Sequence, residues 1–355
     1  MAGFSTHTLR ELKIELTQEC PLACIHCSTR SNRFAKSALP TEVVVRLLRE
    51  AERMGAKKVA LTGGEPLVYA ELDEIIRTAS TLGLATTLYT TGIKNNDLDP
   101  LDEEDVSRLM AAGLGRIIFS IYAADPEAHE SITGFPSFVP TVKAVEKCVR
   151  ARLPVEFHFV PLRRNYLQFG AVVELAEKLG VPRVSALRFV PHGRGAMIAE
   201  NEQLTAADYR RFRDLVEKLR TTRSTQVRLG APMNILGLGH VCCDAAQDVL
   251  VVNHRGRVFP CDAFKATDYP DPVYGSIIHN PLASVWERSR YLEAARHLHA
   301  QRRNGCGTCP TGCMAQEAVR QGGLQQLIEL SERKTSRDSL AVANDLVEIK
   351  VGLAG

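Results

Sequence analysis

The chain has 355 residues, 45% of them apolar and 24% charged, a mix that supports a packed core and does not suit a disordered or fibrous chain. Lysine and arginine number 44 against 41 acidic residues, so the net charge of +3 argues against a general affinity for nucleic acid or anionic membrane. No apolar run approaches a membrane span and residues 1–10 hold no signal-peptide core, so the cytoplasm is the expected compartment. There, ten cysteines point to metal ligation rather than disulfides.

Residues 12–17 alternate as a first strand and run straight into Cys20-Pro21-Leu22-Ala23-Cys24-Ile25-His26-Cys27. The spacing is C-x3-C-x2-C. A tight loop of this kind can present three thiolates to one face of an iron–sulfur cube. With no fourth cysteine nearby, one iron stays open, and an open metal position is where a small molecule is activated. A zinc knuckle would bring a second, matching C-x2-C pair. Three unrelated core cysteines would not crowd into so short a stretch.

Residues 41–55 have helical periodicity behind Pro40. A short apolar strand over 57–61 follows, then Gly63-Gly64-Glu65-Pro66. The alternation continues with helices over 72–82, 103–112, 138–151 and 169–179, and strands over 85–89, 116–121, 154–160 and 183–190. Such alternation implies βαβ units, a parallel sheet and right-handed crossovers. In parallel α/β sheets and barrels the chemistry lies at the carboxyl ends of the strands.

That rule nominates residues by position. Gly63 and Gly64 let backbone approach a ligand closely, although an isolated Gly-Pro stretch would read as a turn. Thr90 and Thr91 offer hydroxyls or a helix cap. Ser120 and Tyr122 share one face of their strand. His129 and Thr133 lie in an expected loop, as substrate contacts or caps. Arg163, Arg164 and Asn165 end the fifth strand. Arg188 and Arg194 follow the sixth, where an arginine can grip a carboxylate or simply be solvated. Residues 204–219 form a charged amphipathic helix with Thr205 as its cap, and the composition changes near 221–225.

Of the remaining cysteines, Cys148 falls on an apolar helix face and reads as core. Residues 249–252 and 258–259 flank Asn253-His254-Arg255-Gly256 as a β-hairpin, which brings Cys243 and Cys261 to one place. Cys306 and Cys309 form a local pair that suits a cluster or a single zinc. Residues 316–355 contain helical runs and no chemical motif.

The cysteine loop after one strand and Gly63-Gly64-Glu65-Pro66 after the next together resemble the radical S-adenosylmethionine (radical SAM) superfamily. The resemblance implies an α/β fold with a partial (β/α)6 TIM-like barrel over residues 1–222. It implies a [4Fe-4S] cluster on Cys20, Cys24 and Cys27 whose open iron is chelated by S-adenosylmethionine (SAM). Reductive cleavage of SAM then gives a 5′-deoxyadenosyl radical that abstracts a substrate hydrogen. His26 stands where the family usually has Tyr or Phe. By the same resemblance, backbone of Gly63, Gly64, Glu65 and Pro66 meets the SAM amino group, Ser120 its ribose or carboxylate, and Arg188 its carboxylate. Thr90 joins the set as a hydroxyl at the same strand end.

The region 223–315 resembles the SPASM and Twitch extensions, which open with C-x(9–15)-G-x4-C. Its shorter closing pattern, C-x2-C-x3-C, is similar to the Twitch form. That form implies one auxiliary [4Fe-4S] cluster on Cys243, Cys261, Cys306 and Cys309, with Cys242 and Cys313 to spare. The tail over 316–355 is then helical packing. The resemblance implies peptide maturation, by crosslinking or side-chain oxidation. The alternatives are dehydrogenation of an aminocyclitol or sugar and, in a different class, a non-catalytic iron–sulfur scaffold. Expected partners are a flavodoxin or ferredoxin as electron donor and a separate leader-peptide-binding protein. No residue stands out as a general base.

Overall fold

The computed structural model describes residues 7–230, 243–267, 271–304, 313–326 and 329. The first half is a run of strand–helix units: β1 (Glu11–Glu15), α1 (Thr41–Arg53), β2 (Lys58–Thr62), α2 (Leu72–Thr81), β3 (Ala85–Thr90), α3 (Glu103–Ala112) and β4 (Arg116–Ser120). Two helices, α4 (Pro126–Thr133) and α5 (Phe138–Arg150), lead to β5 (Val155–Phe159), α6 (Phe169–Leu179) and β6 (Arg183–Ala186). After α7 (Gly195–Glu202) and α8 (Ala206–Thr222) comes β7 (Gln226–Leu229). The remainder holds β8 (Val249–Val252), β9 (Val258–Phe259), α9 (Leu282–Arg288), α10 (Arg290–Asn304) and α11 (Met314–Arg320).

All strands among the described residues join one sheet in the order β7-β6-β5-β4-β3-β2-β1-β8-β9. Every neighbouring pair is parallel except β8 with β9. The six expected strand–helix units are present, and β7 adds a seventh parallel strand beside β6, with Val184 opposite Val227. The expected hairpin forms, but it docks on the barrel: β8 pairs with β1, placing Ile14 opposite Val252. The boundary expected between residues 222 and 223 therefore falls inside a continuous sheet, because both β7 and β8 belong to the barrel's ladder.

Period-2 alternation sorts the two faces of the sheet. Leu12, Ile14, Ile117, Phe119, Phe157, Phe159, Val184 and Ala186 pack into the main core under the helices. Lys13, Glu15, Ser120, Glu156, His158 and Ser185 occupy the alternate positions and face inward. Helix ends follow familiar chemistry. Asp102 and Thr205 each form a capping box with the third helical residue, and Gly113, Gly134 and Gly180 close α3, α4 and α6 in the left-handed conformation. The auxiliary region is tied down by Trp286 of α9, whose Nε1 donates to His7 O at 3.1 Å while Arg296 lies 4.4 Å over its ring. Among the described residues no helix is long and apolar enough to cross a membrane.

Candidate active site

The loop with Cys20, Cys24 and Cys27 leaves the carboxyl end of β1, and its backbone is gripped from three sides. Ala23 and Ile25 donate to the carbonyls of Thr133 and Ile132 at the end of α4, at 3.1 and 2.9 Å. Cys20 donates to Asn32 O at 3.1 Å. Arg194 donates twice, from its backbone N–H to Cys27 O at 2.9 Å and from Nε to Cys24 O at 2.8 Å. Gly193 permits this approach: its φ is +62°, and a Cβ there would lie 2.5 Å from Ser28 O.

The three thiols bear on one another. Burial first, and the neighbouring Cys27 second, push the Cys24 thiol up to about 12, while Arg194 pulls the other way. Burial, then the neighbouring Cys24 and Glu65, lift Cys20 well above the ordinary thiol range. Two thiols held protonated in this way become thiolates around a strongly positive centre, so Cys20 and Cys24 fit as donors to an iron–sulfur cluster, with Cys27 beside them. Among the described residues no three metal-binding side chains close on a single-ion position. A cube accepts the wider spacing because each thiolate binds its own iron. Cys27 Sγ lies 3.2 Å from Thr29 Oγ1 and accepts from Ser31 N–H at 3.4 Å, contacts of the kind that would tune the sulfur of a metal ligand. Cys24 sits between two small apolar groups, Tyr122-Ile132-Val160-Leu162-Phe189 and Cys20-Leu22-Ile93, which keep water from the loop.

Gly63 and Gly64 are required for an approach of chain to chain. A Cβ on Gly64 would lie 2.1 Å from Glu19 O, and one on Gly63 would lie 2.5 Å from Thr17 O. Gly64 N–H donates to Thr17 O and Glu65 N–H to Glu19 O, so this turn is pressed against the segment that leads into Cys20. Glu65 is fully buried, and its carboxylate accepts from Thr90 Oγ1 (2.6 Å), Thr91 N–H (2.7 Å), Thr91 Oγ1 (2.6 Å) and Leu67 N–H (3.1 Å). Thr90 Oγ1 also accepts from Gly92 N–H at 2.8 Å. The side chains of Glu65 and Thr90 are thus engaged with each other, and they act on the site by fixing the turn. Pro66 opens a short 3-10 turn behind it.

The other expected contacts fall into two groups. Ser120 faces the buried Tyr122 hydroxyl, which lies close enough to Cys24, Cys27 and Cys20 to feel their charge. Arg188 is not brought to the cysteine loop: its guanidinium lies 5.8 Å over Tyr209 on α8, and Arg194 is the arginine that reaches the loop. Arg188 lies two residues beyond the end of β6, and its side chain turns toward α8. Arg164 pairs with Glu202, while Asn165 donates to Tyr122 O and Val160 O as a backbone brace. His129 and Thr133 lie in α4 rather than a loop. Tyr122 N–H donates to His129 Nδ1, and Thr133 Oγ1 donates to Phe135 O, so both residues are structural.

Inside the barrel, charges and rings line the wall. His26 meets Tyr122 edge-on with ring centroids 4.6 Å apart, and His158 meets Tyr89 at 6.0 Å. His26 Nδ1 and His158 Nε2 are buried with no hydrogen-bond partner among the described residues. Four charges meet at the junction with the auxiliary region, Lys265 and Glu15 almost wholly hidden and Lys13 and Asp262 partly exposed. Lys265 pairs with Glu15 and, at 2.9 Å, with Asp262, and Lys13 lies 3.5 Å from Asp262. Burial works against the Lys265 ammonium, but Asp262 and Glu15 outweigh it and hold its pKa above the lysine range. Burial likewise opposes the Asp262 carboxylate, and Lys265 and Lys13 still hold its pKa far below the usual range. The charged positions of Glu11-Leu12-Lys13-Ile14-Glu15 were the available sign of this wall, since a strand buried on both faces is normally apolar throughout.

Burial lowers the pKa of His26 to about 3, and those of His129 and His158 to about 4. The unfolded chain takes up these protons near 6.5 while the folded protein does not. Stability from this source is therefore complete above about pH 6.5 and falls as the pH drops toward 4, by about 1.4 kcal/mol per pH unit for each histidine. Thermal melts at pH 7.5 and 5.5 check this, and an unchanged midpoint would contradict it.

In the auxiliary region, Cys243 and Cys261 come together at the root of the hairpin, as expected. Cys313, read as a spare, joins them. Burial, then Cys243 and Cys313, raise the Cys261 thiol well above the ordinary range. Cys313 caps α11, which packs on the 3-10 turn at Asp262–Ala266 directly after Cys261. Cys306, Cys309 and Cys242 lie outside the described residues, as does most of the helical tail. The gathered thiols suit a second iron–sulfur group.

The model of the Radical SAM superfamily matches residues 14–182, and that of an iron–sulfur cluster-binding domain, SPASM, matches residues 242–313, from Cys242 to Cys313. The chain is 27% identical over 338 residues to the AdoMet-dependent heme synthase of Methanosarcina barkeri (strain Fusaro / DSM 804), covering 87% of this chain and 92% of that protein. It is 28% identical over 339 residues to the PqqA peptide cyclase of Xanthomonas campestris pv. campestris (strain 8004), covering 90% and 86%. In fold it is similar to Streptococcus suis SuiB bound to S-adenosylmethionine, with a TM-score of 0.72 and 19% identity over 89% of this chain and 76% of that one.

Proposed function

We propose that this chain, which belongs to the radical SAM superfamily and carries a SPASM domain behind its barrel, modifies a peptide by removing a hydrogen atom from it. The outcome is a crosslink or an oxidised side chain. The observation that carries the reading is the likeness to a PqqA peptide cyclase over 90% of this chain.

When bound, the cluster and SAM supply a 5′-deoxyadenosyl radical as the hydrogen-abstracting species. The chain's own residues prepare the place for it. Cys20, Cys24 and Cys27 hold the metal, with Arg194 fixing the backbone between the last two. The Gly63–Pro66 turn presents backbone polar groups to the SAM amino group, and Glu65 with Thr90 and Thr91 holds that turn rigid. Ser120 lies on the inner wall as the SAM ribose or carboxylate contact, and Arg194 rather than Arg188 is placed near the loop. Neutral His26, Tyr122 and the apolar groups around Cys24 exclude water, which protects a reactive intermediate. Cys243, Cys261, Cys306 and Cys309 hold the auxiliary cluster, with Cys313 beside the first pair. The electron comes from a protein such as flavodoxin or ferredoxin in the reducing cytoplasm, and a separate protein brings the leader peptide.

A second reading has its own support: the likeness to a heme synthase spans 92% of that protein, which favours a heme-forming step instead. One experiment separates the two. The anaerobically reconstituted protein is given SAM, dithionite and either the short peptides encoded beside its gene or heme precursors. Loss of paired hydrogens from a peptide, with 5′-deoxyadenosine formed alongside, is the expected result. Turnover of the precursors alone would sink the peptide reading.

A further inference from the structure

Directly behind Cys27 the chain runs Ser28-Thr29-Arg30-Ser31-Asn32-Arg33-Phe34-Ala35-Lys36, a stretch in which every charge is positive. Phe34 is 82% exposed, the most exposed large apolar side chain among the described residues, and Met197 on α7 follows at 78%. Both sit on segments that touch the cysteine loop. Asn32 O accepts from Cys20 N–H, and the residues leading into α7 hold Cys27 O and press on Ser28 O.

The exposed ring is held out by a built loop. Asn32 Oδ1 accepts from Phe34 N–H at 2.9 Å, and Gln18 Nε2 donates to Thr29 O at 2.9 Å. Arg33 lies 4.1 Å over the Phe135 ring and donates to Pro21 O at 3.2 Å. Arg30 and Lys36 remain exposed, and Glu19, 3.4 Å from Lys36, offsets it only in part. An apolar anchor with a cationic rim is the anatomy of a small, electrostatically steered interface, the kind used in brief redox encounters. Ser31 N–H and Thr29 Oγ1 from this same stretch meet Cys27 Sγ, so the patch is coupled through hydrogen bonds to a metal-site sulfur.

We propose that the Arg30–Lys36 face, with the exposed Phe34 on it, docks an acidic protein that donates one electron to the metal site at Cys20, Cys24 and Cys27. The donor is oxidised by one electron and the metal site is reduced by one; no bond forms between the proteins. This rests on the reading that those cysteines hold a redox-active cluster.

The test compares two reductants on the reconstituted full chain: reduced flavodoxin, an acidic donor, and dithionite, which needs no docking surface. The variants are Phe34→Ala and the double Arg30→Glu/Lys36→Glu, each matched to the parent in bound iron. Stopped-flow bleaching of the cluster absorbance and 5′-deoxyadenosine yield are read with each reductant. Flavodoxin-driven reduction should fall about tenfold at low salt in the double variant, and its ionic-strength dependence should flatten. Dithionite-driven rates should match the parent. Equal loss with both reductants, or no loss with flavodoxin, overturns the docking face. If the unaltered protein yields no 5′-deoxyadenosine with dithionite, the radical SAM reading fails and takes this proposal with it.

Discussion

Cys24→Ala is expected to reduce 5′-deoxyadenosine formation to background while the protein stays folded. Cys24 is the middle of the three thiols, and both small apolar groups of the loop pack against it. Its loop does not depend on the sulfur for shape, because Arg194 Nε bonds the Cys24 carbonyl oxygen and Ile25 N–H bonds Ile132 O. Removing the thiol therefore deletes a ligand and leaves its frame. Bound iron should fall by about four per chain, the content of one cube, with the auxiliary iron retained. Iron analysis, the thermal midpoint and product yield together make the check. Normal yield in the variant would show that these cysteines are not the ligands.

The second large effect is on stability. Lys265→Met should cost about 3–5 kcal/mol, because it strands Glu15 in a buried setting. Both Lys265 and Glu15 are almost wholly hidden from water, so solvent cannot replace the lost partner. The double variant Lys265→Met/Glu15→Met should recover much of the loss, since it removes both members of the pair and leaves Lys13 with Asp262. Urea denaturation of the anaerobic protein measures both. Equal destabilisation in single and double variants would mean that the pair is not coupled.

Much of the barrel was legible because local signals agreed. The strand over 116–121 and the helices over 103–112 and 169–179 appear within a residue of their expected ends. Their period-2 and period-3.6 patterns are set by burial on one face. The helix α4 was missed although Asp125, Pro126 and Gly134 supplied a cap, a first-turn proline and a left-handed stop. It spans only eight residues, too few for an apolar period of 3.6 to repeat clearly. The strand β7 was missed because Gln226–Leu229 is brief and lies just beyond the change in composition that suggested a boundary. Pairing of β8 with β1 was beyond local reading, since parallel partners are distant in sequence and no turn fixes their register. The cysteines were legible as motifs. Which arginine reaches the cysteine loop was not, because it depends on which loop returns to the cysteines.

The pairing of Val249–Val252 with Glu11–Glu15 makes the second metal region the selvedge of the barrel. Trimming the chain after β7 would bare a full row of amide and carbonyl groups along the first strand, an invitation to edge-to-edge association. It would also strip Glu15 of its ammonium partner in the same cut. A graft between relatives that respects this weave has to carry the first strand and the hairpin together.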